Sequence, residues 1–201
     1  ISPHQYWGAC KIEEDDDFLI DFLEKKNLSD DFFAIQHPQK RKQWLASRCL
    51  LKQLTQHIGI PYEGIRKDNF GKPFLLNASV EISFSHTNNM AAVIVDFQQS
   101  TGIDVEQIDE KLYKIAPRFL TNAELHQTQS SLEEIAYFWC AKEAMYKLYG
   151  KKQLTFRENL IVEKSFVGEG FFQGTIVKDN FRKMIRLKGE KIDNYLVVFA
   201  L

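Results

Sequence analysis

The same order of elements is written twice along this chain, and that recurrence constrains the fold more than any single motif. Each half offers one long helical stretch, residues 40–58 and then 133–149. Each then offers strand-like segments ending in an apolar run, Met90–Phe97 and Tyr195–Leu201. A short, near-continuous apolar run reads as a buried strand. In the first helix Leu45, Cys49, Leu50, Leu54 and Ile58 form an apolar stripe. In the second, Ile135, Phe138, Met145 and Leu148 recur at helical spacing, no Pro or Gly interrupts, and Gly150 marks the stop. The pattern predicts an α+β fold of two similar α/β halves, 1–100 and 101–201. Sequence identity between the halves is negligible. Duplication is therefore an expectation about topology, and unrelated strand orders would end it.

Composition narrows the function classes. Of 201 residues 44% are hydrophobic and 16 are Phe, enough for a substantial core. A net charge of −1 gives no global field for nucleic acid or a membrane, so any anion site must be a local basic cluster. Cys10, Cys49 and Cys140 are odd in number and far apart. They form no disulfide framework or thiolate metal motif and point to a reducing, cytoplasmic setting. No apolar run approaches a membrane span and no signal peptide is visible, although the chain begins at Ile1 rather than Met. A monomer is expected.

The remaining segments read in order. A first strand falls within residues 1–12. The acidic run Glu13–Asp17 suits the N-terminal turn of a helix containing Phe18, Leu19, Phe22 and Leu23. Gly59-Ile60-Pro61 ends the first long helix, and a short strand follows at 65–69. Phe70-Gly71-Lys72-Pro73 is a turn, not an NTPase phosphate loop, because the flanking glycines and the Lys-Ser/Thr pair are missing. Glu81–Ser85 alternates as a strand and ends in the polar turn Ser85-His86-Thr87-Asn88-Asn89. Residues 111–125 form a basic helix and turn, with a capping box at Thr121 and Glu124. Strands are expected at 160–166, 170–177, 183–187 and 195–201.

Two stretches carry chemistry. In Gly102-Ile103-Asp104-Val105-Glu106 the period of two puts Ile103 and Val105 on one face and both carboxylates on the other. Adjacent like charges are unfavourable unless a cation lies between them. On the second long helix Trp139, Glu143 and Lys147 are four apart and share a face. Taken alone, Glu143 and Lys147 are an ordinary surface pair and Asp104 and Glu106 a solvated strand face. Together they offer three hard oxygen donors, suited to Mg²⁺ or Mn²⁺ rather than Zn²⁺. Histidines 4, 37, 57, 86 and 126 show no metal-ligand spacing. Magnesium held by carboxylates commonly completes its shell with phosphate oxygens. Arg41 and Arg48, seven apart with Trp44 between them, offer an anion clamp or are ordinary surface arginines. Lys72 is a further point charge. The residues point to metal-assisted chemistry on a phosphate ester or anhydride.

Gly102–Glu106, followed after some 30 residues by Trp139-Cys140-Ala141-Lys142-Glu143-Ala144-Met145-Tyr146-Lys147, resembles the paired signature of the 4′-phosphopantetheinyl transferase superfamily. Phe70–Pro73 and Ser83-Phe84-Ser85-His86-Thr87 resemble that family's Gly-Lys-Pro and Ser-His segments. The chain length resembles the single-chain, pseudo-dimeric surfactin-synthetase-activating branch. The resemblance covers residues 40–160 best. It implies transfer of 4′-phosphopantetheine from coenzyme A to a serine of an apo acyl or peptidyl carrier protein, releasing adenosine 3′,5′-bisphosphate. It implies coenzyme A in a cleft between the halves, and Mg²⁺ on Asp104, Glu106 and Glu143 in the C-terminal half. Lys147 would contact the phosphates. Lys72, Pro73, Ser85 and His86 would meet the 3′-phosphate or adenine end, with Arg41 and Arg48 as further cofactor contacts. Glu143 is the expected base, with Glu106 next. Arg118, Phe119, Leu120, Lys151 and Lys152 either dock the carrier or are surface cations around core apolar residues. The alternatives are a Mg²⁺-dependent hydrolase of coenzyme A or nucleotide diphosphates, and a non-catalytic coenzyme A-binding module.

Overall fold

The computed structural model describes residues 4–164 and 170–201. The expected strand at 160–166 therefore ends outside the described residues. Two compact units divide the chain, Ile1–Ser100 and Thr101–Leu201.

In the first unit β1 (Gln5–Lys11) leads to α1 (Asp16–Leu23), a 3₁₀ turn at Lys25–Asn27, α2 (Asp30–Phe33) and the long α3 (Pro38–His57). Asp15 caps α1 by accepting from the Phe18 amide at 2.8 Å, which explains the acidic run as a helix start. Pro38 opens α3, where a missing amide costs nothing. Then follow β2 (Ile65–Lys67), β3 (Pro73–Leu75), β4 (Glu81–His86) and β5 (Met90–Asp96). The sheet order is β1-β5-β4-β3-β2, antiparallel throughout. Leu45 and Leu51 of α3 pack with Ala91, Val93 and Val95 of β5 in this unit's core.

The second unit runs β6 (Gly102–Gln107), α4 (Lys111–Phe119), α5 (Asn122–Thr128), α6 (Leu132–Tyr149) and α7 (Phe156–Asn159). It continues with β7 (Leu160–Lys164), β8 (Phe171–Lys178), β9 (Phe181–Ile192) and β10 (Tyr195–Ala200). Its sheet order is β6-β10-β9-β8-β7, again antiparallel. Each unit thus places its first strand at an edge, its last strand beside it, and the others in reverse order, with one long helix between its first and second strands. The fold is α+β, two similar α/β halves in one chain. Around α6, Phe138, Ala141 and Met145 share a core with Leu160, Leu187, Leu196 and Val198. Thr121 and Glu124 form the capping box of α5. Phe119 and Leu120 are 3% and 0% exposed and belong to this core, while Arg118, Lys151 and Lys152 are exposed. Among the described residues no helix is long and apolar enough to cross a membrane.

Candidate active site

The site is built where β6 lies along α6. Gly102 makes their close approach possible: a Cβ there would fall 2.0 Å from the Ala144 carbonyl oxygen and 2.7 Å from the Leu148 nitrogen. The strand face that Gly102 turns to α6 also carries Asp104 and Glu106, two and four residues on. The helix answers in the opposite direction. Lys147, near its C-terminus, donates to the Asp104 carboxylate (Nζ to Oδ1, 2.8 Å) and to the Ile103 carbonyl (3.0 Å). Trp139, two turns earlier, donates from its indole nitrogen to Glu106 Oε1 at 3.0 Å. Eight helical residues advance about 12 Å, so Glu143 falls midway between these two ties.

Burial and charge shape the carboxylates. Asp104 is 5% exposed, while Glu106 and Glu143 are half-buried. Burial first, then the neighbouring Asp104 charge, raises Glu143 from the ordinary 4.5 to about 7, with Lys147 opposing. Burial and Asp104 also raise Glu106, while the Trp139 hydrogen bond opposes. The three side chains therefore feel one another as like charges, which suits a shared cation. Their oxygens are not gathered into a ready shell: among the described residues no group of three His, Cys, Asp or Glu is arranged to hold a metal ion. Asp104 is turned to Lys147 and Glu106 to Trp139. The donor chemistry, three carboxylates, fits a hard divalent ion. Cys140 is fully buried between these residues on α6, and burial keeps its thiol protonated.

The first unit gives its candidate residues specific surroundings. Arg48 is 4% exposed, with its guanidinium 4.4 Å from the Trp44 ring and 4.3 Å from the Phe84 ring. Its Nη1 donates to Ser47 at 2.9 Å, and burial pushes its pKa down to about 10. It is therefore not an ordinary surface arginine. Arg41 stacks on Phe32 at 4.7 Å and is half-buried. Lys72 is paired with Glu81 and donates to Ser100 at 3.2 Å. Pro73 opens β3, while Ser85 and the exposed His86 end β4.

The group of the candidate site that sequence reasoning left without a role is the Trp139 indole, placed on the same face by its spacing. The Ile103 carbonyl carried no sequence signal at all.

Comparison with known proteins matches residues 100–200 to the 4′-phosphopantetheinyl transferase superfamily, half of the chain and all of this site. The chain belongs to the 4′-phosphopantetheinyl transferase superfamily. Among individual proteins it is 32% identical over 114 residues to the 4′-phosphopantetheinyl transferase gsp of Aneurinibacillus migulanus, covering 53% of this chain and 47% of that one. It is 30% identical over 95 residues to a Haemophilus influenzae protein provisionally named 4′-phosphopantetheinyl transferase, covering 43% of this chain and 40% of that one. The chain spans about half the length of these superfamily relatives.

Proposed function

We propose that this chain transfers the 4′-phosphopantetheine arm of coenzyme A to a serine hydroxyl of an apo acyl or peptidyl carrier protein. The observation that supports this reading is the meeting of Asp104, Glu106, Glu143 and Lys147 on β6 and α6, inside the stretch that matches the superfamily. In the reaction the serine oxygen bonds to the β-phosphorus of coenzyme A. The bond from that phosphorus to the bridging oxygen breaks, and adenosine 3′,5′-bisphosphate leaves with the bond's electrons. Asp104, Glu106 and Glu143 are the residues that would hold Mg²⁺ or Mn²⁺. The ion, when bound, supplies Lewis-acid stabilisation of the diphosphate oxygens. Lys147 adds a positive charge for those oxygens. Glu143 receives the serine proton, directly on an oxygen that does not hold the ion or through an intervening water, with Glu106 as the second candidate. Positioning and charge stabilisation are expected to provide most of the acceleration.

In the first unit, Arg41, Pro73, Ser85 and His86 remain proposed cofactor contacts, tested by whether Ser85→Ala and His86→Ala raise KM for coenzyme A. Arg48, stacked between Trp44 and Phe84, and Lys72, beside Glu81, stay in the same proposal. The deciding experiment incubates the protein with coenzyme A, Mg²⁺ and a panel of apo carrier proteins and reads the intact carrier mass. Growth by one phosphopantetheine is expected. Bisphosphate released with every carrier unmodified indicates a hydrolase instead. Glu143→Gln should lose turnover by about 10²-fold or more, with little change in coenzyme A affinity. Undiminished turnover removes Glu143 from the role of base.

A further inference from the structure

The Lys147 ammonium has two acceptors on one strand, the Asp104 carboxylate at 2.8 Å and the Ile103 carbonyl at 3.0 Å. The Asp104 side chain is 6% exposed and that of Lys147 26%. A buried carboxylate needs a counter-charge, and here the protein provides one from its own helix. Each of the three carboxylates has a different surrounding. Asp104 is turned to the lysine, Glu106 to the Trp139 indole, and Glu143 has no hydrogen bond or ion pair among the described residues. That is why no three of these groups point at a common centre.

We infer that Lys147 is an internal cation that competes with the divalent ion for Asp104, so that ion binding displaces the ammonium from the carboxylate. The inference rests on the cation site proposed above. It follows from two physical facts. An ammonium within hydrogen-bonding distance of a carboxylate strongly repels a second cation on that same group, more so where water is scarce. A lysine is a point charge on a flexible four-carbon stem, and this one already reaches solvent, so it can leave without backbone movement. Lys147 then has two successive partners: Asp104 first, and the phosphate oxygens of the substrate after exchange. The arrangement delivers a positive charge to the diphosphate only once the ion is seated.

The sign of one measurement separates this from other roles for Lys147. A lysine that orients Asp104 for the ion would, when removed, weaken ion binding. A lysine that touches phosphate alone would leave ion binding without coenzyme A unchanged. A competing lysine, when removed, tightens it. Mn²⁺ binding to the full chain without coenzyme A, followed by electron paramagnetic resonance of the free ion, is therefore compared in wild type, Lys147→Met, Lys147→Arg and Asp104→Asn. Lys147→Met is expected to bind on the order of tenfold more tightly than wild type, the size of a typical coupling between two ligands. Lys147→Arg, which keeps the charge, stays close to wild type. If the methionine variant does not fold, Lys147→Gln, whose amide still donates to Asp104, is expected to move in the same direction. Equal or weaker binding in the neutral variants overturns the competition, as does binding in neither wild type nor variant. The cation site is judged separately, by Asp104→Asn. Wild-type affinity there sinks the site itself, whereas a loss there without tightening in Lys147→Met sinks only the competition.

Discussion

Glu143 stands between two other carboxylates and has Lys147 as its nearest compensation, and its proton affinity records that position. Its folded pKa, about 7, lies above the ordinary 4.5 chiefly because of burial and then Asp104. A carboxyl raised on folding binds a proton more tightly in the native state than in the unfolded chain. Stability contributed by this group is therefore present below about pH 4.5 and is lost as pH rises to about 7. Glu143→Gln mimics the protonated form at every pH. In EDTA the wild type is expected to match that variant near pH 4.5 and to fall below it by roughly 2 kcal/mol at pH 8, after discounting for partial solvent screening. Urea melts of both proteins across this range decide it, and parallel curves remove the assignment. The type and spacing of Glu143 and its grouping with Asp104, Glu106 and Lys147 were legible in the sequence, but its burial was not. For Arg48 and Lys72 the residues were legible and their partners were not. Arg48 shares a helix face with Arg41 by count alone, but its inward stacking depends on Phe84, a residue of another strand. Lys72 meets Glu81 because β3 and β4 are neighbours, with Phe74 opposite Glu81 in register. Side-chain pairing across elements is a tertiary fact that one-dimensional spacing does not contain.

At the scale of elements, α6 was the most legible part because propensity, apolar spacing and a glycine stop all agree over 133–149, and the helix runs Leu132–Tyr149. The strand read at 183–187 is instead Phe181–Ile192, since only Ile185 and Leu187 are buried enough to advertise it among charged neighbours. The short α7 had no periodic signal. Two contacts hold α6 in place and each is testable. At Gly102 any side chain meets α6 backbone, which cannot give way as a flexible side chain can. Gly102→Ala should cost about 3 kcal/mol, visible as a lowered melting temperature, and a variant as stable as wild type would mean that β6 does not lie so close. The second contact is Lys142, 0% exposed, which donates to the Phe119 carbonyl at 2.8 Å, to Glu124 at 2.8 Å and to the Phe156 carbonyl at 3.0 Å. Glu124 in turn accepts from the Thr121 and Val162 amides. One lysine thereby ties α6 to the end of α4, to α5, to α7 and to β7. Lys142→Met strands the Glu124 charge in the core and should cost about 3–5 kcal/mol, with Lys142→Met combined with Glu124→Leu recovering part of the loss. A single-variant cost below 1 kcal/mol would show that the pair is not a node of the fold.

Across the whole molecule, the repeated strand order raises the question of whether the chain has one cation site or two. The long helices α3 and α6 occupy the same place in their units, each between the first and second strand. Each also carries the same spacing, Trp44-Arg48-Lys52 in one and Trp139-Glu143-Lys147 in the other. The spacing survives while the chemistry differs. Where α6 has Glu143, α3 has the buried, stacked Arg48, and β1 has no carboxylate to match Asp104 and Glu106 of β6. Lys52 has gone to a structural task, donating to the Phe22 carbonyl at 2.7 Å and to Glu24 at 2.7 Å. A buried guanidinium at the centre of the equivalent face repels a divalent ion instead of attracting it. The repeat therefore reads as one scaffold used twice, with the proposed cation site in the second unit. Titration of the full chain with Mn²⁺ should saturate at one ion per chain, and Asp104→Asn should remove that ion. Two equivalents of comparable affinity, or one that survives Asp104→Asn, would place a cation site where no carboxylate cluster has been found and would overturn the division of labour between the units.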